Sequence, residues 1–125
     1  MWRKIESSVV RQQDEGLYRV WYHSGEADVY LDHDRQTGAL VSFEIDWEAL
    51  RGQRPCVQWR RQGGVHTGWV DTGDCLGALH YKRAPVLSWD SGLRGEVLQE
   101  ARQLVASSAI EEGHRDSILK RLIPV

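Results

Sequence analysis

The sequence predicts an α+β domain: an antiparallel meander of about five strands, covered on one face by an amphipathic helix or helices near the C-terminal end. Two features carry this. Between residues 17 and 71, segments alternating apolar and polar with period two are separated by turn-rich stretches at Ser24-Gly25, Asp32 to Gly38 and Gly63-Gly64. Further on, Leu93, Val97, Leu98, Ala101, Leu104 and Val105 recur with the period of a helix and form one apolar stripe. Neither element can bury its own oily side, so the simplest solution packs the helix on the sheet.

Residues 2–13 fit two patterns. Trp2, Ile5 and Val9 have helical spacing, while Ile5, Ser7 and Val9 also alternate; a short N-terminal helix is the favoured reading. Leu17 to His23 and Glu26 to Asp32 then flank a two-residue turn. That register sets Val20 against Val29, Tyr22 against Ala27 and Tyr18 against Leu31, with Trp21 and Asp28, Arg19 and Tyr30, and His23 and Glu26 on the other face. The polar loop 32–38 ends in Gly, and Ala39 to Trp47 follows with Val41, Phe43, Ile45 and Trp47 on one side. Cys56 to Arg61 and Val65 to Asp71 form the next hairpin. A type I′ turn at Gly63-Gly64 sets Val57 against Val70, Trp59 against Gly68, Arg60 against Thr67 and Gln58 against Trp69, with His66 inward.

Ala78 to Tyr81 reads as a short extra strand. Helix 91–107 follows, with Asp90 or Ser91 as N-cap. Ser108 and Glu111 have capping-box spacing for a second helix carrying Ile110, Ile118, Leu119 and Leu122.

Composition bounds the function. At 125 residues, 41% apolar and 27% charged, the chain fits one domain spanning 1–125 with one core. No apolar run approaches the roughly 20 residues that cross a bilayer. The start, Met1-Trp2-Arg3-Lys4, leads into no apolar stretch of the signal-peptide kind, so a cytoplasmic location and no membrane partner are expected. Residues 1–62 hold nine Lys/Arg against ten Asp/Glu, and 63–125 hold seven against eight, so neither half offers a general grip on nucleic acid.

Asp71-Thr72-Gly73 resembles the signature of retroviral-type aspartic proteases, which pair two such aspartates across a dimer axis. Asp74 departs from the small apolar residue usual there, and most of the residues that follow read as helix, so strand end and turn is the simpler account. Cys56, Cys75, His66 and His80 lack the close-spaced pairs of a zinc site, and the hairpin register puts Cys56 and His66 on opposite faces. The acidic residues Glu26, Asp28, Asp32, Glu44 and Asp46 share the outer sheet face and read as a solvated, salt-bridged surface with Arg19 and Arg60. No cofactor motif and no nucleophile in a recognisable setting is present, so catalysis is not the leading expectation.

The same outer face gathers Arg19, Trp21, Tyr30, Arg60 and Trp69, the residue types enriched at recognition surfaces. These five are the candidate binding residues of a non-catalytic binding or accessory module, its ligand a protein partner or a second copy in a homodimer. The alternatives are a small-molecule binder or enzyme with a pocket between sheet and helices, using His66 and Tyr18 or Tyr22, and a single-stranded nucleic-acid binder stacking bases on Trp21, Tyr30 and Trp69.

Overall fold

In a computed structural model of the chain, describing residues 2–5, 16–49, 54–70 and 86–122, strands follow one another across a single sheet in the order they occur in sequence. The strands are β1 (Arg3–Ile5), β2 (Leu17–His23), β3 (Ala27–Asp34), β4 (Leu40–Trp47), β5 (Pro55–Arg60), β6 (Gly64–Val70) and β7 (Val86–Trp89), each antiparallel to its neighbour. Helices α1 (Gly95–Ala106) and α2 (Glu112–Leu119) follow. The α+β meander is as expected, and larger by β1 and β7. Arg3–Ile5 is strand rather than helix, because pairing Ile5 with Trp21 and Lys4 with Tyr22 extends the sheet. The rest of the N-terminal helix reading, the strand at 78–81, Cys75, His80 and the 71–73 motif lie outside the described residues.

The core forms where one face of the central strands meets both helices. Val20, Tyr22, Val29, Leu31, Phe43, Ile45, Trp47 and Val57 pack with Val97, Leu98, Ala101, Val105, Ile110, Ile118 and Leu122. The helical stripe is as the period predicts, except that Leu93 precedes the helix and is 40% exposed. The caps differ from expectation. Arg94 and Glu111 occupy the N-cap positions without a side-chain cap bond. Asp90 instead accepts from Thr67 Oγ1 at 2.6 Å and from the Arg94 guanidinium, and Ser108 donates to Val105 O at 2.6 Å. Trp47 Nε1 ties the sheet to α1 by donating to Glu100 at 3.0 Å, and Arg102 ties α1 to the end of α2 by donating to the carbonyls of Leu119 and Leu122.

The turns set the faces. At the first hairpin the last pair is His23 with Asp28, and Ser24 N donates to Ala27 O at 2.9 Å. The register is therefore two residues off the tight-turn expectation, with Val20 against Leu31 and Tyr22 against Val29. A shift of two leaves sidedness intact. In the second loop Asp34 Oδ1 accepts from Gln36 N and Thr37 N, and Gly38 takes a φ of 77°, which favours glycine. A bulge follows: Asp32 faces Ser42 while His33 faces Leu40, so Val41 is the extra residue and Leu40 packs on the core in its place.

The third turn overturns part of the expected sidedness. Gly63 N bonds Arg60 O at 3.1 Å, and only Gly64 is left-handed, with φ 74°. This is a three-residue loop closed by a left-handed glycine, not the two-residue turn that Gly-Gly suggests. Val57 therefore faces Thr67 instead of Val70, Trp59 faces Val65 and Gln58 faces His66. The shift is odd, so every residue of β6 before the irregularity at Trp69/Val70 changes face.

Candidate functional site

The sheet face away from the helices is organised as three cross-strand rows. One runs Arg19, Asp32, Ser42, Arg60, Gly64; the second Trp21, Tyr30, Glu44, Gln58, His66; the third His23, Asp28, Asp46, Cys56, Gly68, Trp89. Adjacent members sit at the close spacing of cross-strand pairs, within reach of one another's side chains.

The centre of this face is a buried polar layer, not a solvated surface. Arg19, Tyr30, Asp32, Glu44, Asp46, Cys56 and Gln58 are all buried. Burial of Arg19, Asp32 and Asp46 is tolerated because each is paired. Arg19 Nε donates to Asp32 Oδ1 at 2.7 Å and its Nη2 to Oδ2 at 3.2 Å, a bidentate pair that also takes in Ser42. Arg54, which the sequence did not single out, joins two carboxylates: Nε to Asp46 Oδ1 at 2.6 Å and Nη2 to Asp28 Oδ2 at 2.9 Å. Asp28 Oδ1 also takes the Trp21 indole N–H at 2.8 Å and lies 2.6 Å from His23 Nδ1. Burial pushes the Asp46 carboxyl up to about 7, with Arg54 pulling against it and Asp28 and Glu44 reinforcing it. Burial raises the Tyr30 hydroxyl and the Cys56 thiol well above their ordinary ranges, reinforced by Asp28, Asp46 and Glu44 for Tyr30 and by Glu44, Asp46 and Asp90 for Cys56, so both stay neutral.

Of the five candidate residues, three come together. Trp21 and Tyr30 stack with ring centroids 5.6 Å apart, and the Arg19 guanidinium lies 5.8 Å from the Tyr30 ring. Arg60 shares the face and is exposed at the end of β5. Trp69 does not belong with them: it pairs with Pro55 on the helix side, beneath the Arg94 guanidinium at 4.2 Å, because of the odd shift in β6. His66 moves the opposite way. It is exposed on the reverse face beside Trp89, ring centroids 6.2 Å apart, so it cannot line an interior pocket, and it shares a face with Cys56. Trp89 is 44% exposed.

The inward histidine is His33, which loop assignment of residues 32–38 hid; it continues the odd-numbered alternation of Val29 and Leu31. It meets His114 of α2 across the helix-covered face. Among the described residues no group of three or more His, Cys, Asp or Glu side chains is arranged to hold a metal ion, and no helix is long and apolar enough to cross a membrane. Comparisons with protein-family models, curated proteins and solved structures found no match to this chain.

Proposed function

We propose that the protein is a non-catalytic, cytoplasmic binding module that engages a protein partner, or a second copy of itself, through the face away from the helices. The observation that carries this is Trp89. A large indole 44% exposed, set against His66 and two strands from exposed Arg60, is the aromatic-and-arginine combination that anchors protein interfaces. The buried pairs behind it supply rigidity. Arg19–Asp32 and Arg54–Asp46 hold the strands in one arrangement, so little side-chain and backbone freedom is lost on binding. Arg19 and Tyr30 are thus supports, and Trp21, half-buried, is the second accessible aromatic. The buried carboxylates Asp32, Glu44 and Asp46 weigh against a polyanionic ligand on the same face.

The test is the double variant Trp89→Ala/Arg60→Ala. Both side chains are exposed, so the fold should persist by circular dichroism. Sedimentation velocity reads self-association, and cross-linked affinity capture from the source cells reads a protein partner. The variant should lose the larger species or the captured partner. Wild-type behaviour in both assays refutes the reading.

A further inference from the structure

The helix-covered face carries a polar breach at β3 and α2. His33 on β3 and His114 on α2 lie with ring centroids 5.3 Å apart. His33 stacks on Tyr18 at 4.9 Å, is 6% exposed, and its Nδ1 is buried without a hydrogen-bond partner. His114 Nδ1 is 2.7 Å from the Tyr22 hydroxyl. Among the described residues the charged groups that act on the pair are Lys4 from β1, which bonds Glu111 at 2.9 Å; Glu111 itself, 4.0 Å from His114 Nδ1; and Asp32, the neighbour of His33 on β3, whose side chain lies on the opposite sheet face.

We propose that His33 and His114 form an acid-operated latch: in mildly acidic conditions the pair takes up protons, α2 leaves the sheet, and the apolar ground under Ile118 and Leu122 is bared. With both rings neutral, the contact is an aromatic cluster that satisfies Tyr22. One proton is tolerable on His114, which is the less buried ring and has Glu111 near it, although Lys4 already engages that carboxylate. The second proton falls on His33, facing an imidazolium with no protein acceptor at its buried nitrogen. Release removes the conflict, because both rings then titrate in water near their ordinary value of about 6.5.

Burial holds both histidines below that value in the closed form. His114 lowers His33 further while Asp32 pulls it up; for His114, Glu111 pulls up and Lys4 lowers. The open form therefore binds more protons, and falling pH drives opening. The opening is local because α2 is only eight residues long and its first turn is tied to the sheet by the Tyr22 and Lys4 contacts. Arg102 holds the carbonyls at its far end and serves as the hinge to α1.

Native-state hydrogen exchange of the intact chain, followed by NMR and normalised for intrinsic exchange, tests this at pH 7.5 and 5.0. Amides of α2 should lose at least tenfold protection at pH 5.0 while those of β3 to β5 keep theirs. His33→Phe, which preserves the stack on Tyr18, and His114→Gln, which preserves a partner for Tyr22, should each abolish the step. Unchanged α2 protection, an equal loss throughout the sheet, or a step that survives in a folded variant overturns the proposal. The wild-type comparison decides even where a variant does not fold.

Discussion

Arg54→Ala strikes the tie that joins three segments of the buried polar layer. The guanidinium donates to Asp46 at 2.6 Å, to Asp28 at 2.9 Å and to the Glu26 carbonyl at 3.4 Å. Removing one partner of a buried ion pair costs about 3–5 kcal/mol, because the remaining charge has no compensation. The lower end applies here: the Arg54 and Asp28 side chains keep 19% and 16% of their exposure, whereas Asp46 keeps 3%. The cost also depends on pH. With the Asp46 carboxyl held at about 7, it is already neutral in the folded protein at pH 5.5, and the variant loses hydrogen bonds and the part-exposed ion pair with Asp28, about 1 kcal/mol together. At pH 8.5 the wild type carries an ionised, paired Asp46 and the variant cannot. The further loss is about 2 kcal/mol, for a total of about 3. For 125 residues that corresponds to a Tm lower by about 10 °C at pH 8.5. Urea unfolding at the two pH values measures both numbers. A loss below about 0.5 kcal/mol at pH 8.5, or the same loss at both pH values, refutes the account of the layer.

Three further outcomes are expected. Phe43→Ala empties the fully buried centre of the core and should cost about 3–5 kcal/mol by urea unfolding. Gly64→Ala forces a Cβ onto a φ of 74° and should cost about 1–2 kcal/mol, whereas Gly25→Ala, with open space and no positive φ, should stay within about 0.5 kcal/mol. The pH dependence of stability should contain two opposed terms. His33 and His114 are held below their unfolded values, so the unfolded chain binds more protons and stability drops as pH falls below about 6.5. Asp46 is held above its unfolded value, so it contributes stability as pH falls through about 7. Titrating the urea midpoint, Asp46→Asn should steepen the acid loss and His33→Phe should flatten it.

The hydrophobic pattern made most of the architecture legible. Alternation in 17–47 and the stripe at Val97, Leu98, Ala101 and Val105 depend on burial alone, and burial is what the pattern encodes. Turn geometry was less legible. Gly63-Gly64 admits either a two-residue turn or a three-residue loop closed by one left-handed glycine, and only cross-strand packing chooses between them. That single residue moved Trp69 under Arg94 and brought His66 out beside Trp89. Val41 was displaced by a bulge whose composition carries no signal. For the candidate site, Arg19, Trp21 and Tyr30 were legible because parity survives an even shift in register. Arg54 was not, since an arginine in a connection before Pro55 gives no hint that it bridges carboxylates on two other strands. Nor was the burial of Glu44 and Asp46 apparent from strand alternation, which reports sidedness but not what covers a side.

Because every strand lies beside its predecessor, the order in which the ribosome delivers the chain matches the order in which the sheet assembles. The covering helices are translated after the described strands, so for the time needed to add residues 95–122 the oily underside of a largely complete sheet lacks the helices that cover it. The growing polypeptide is therefore most aggregation-prone before α1 and α2 emerge, and its solubility in the cell depends on how quickly residues 95–122 emerge and dock.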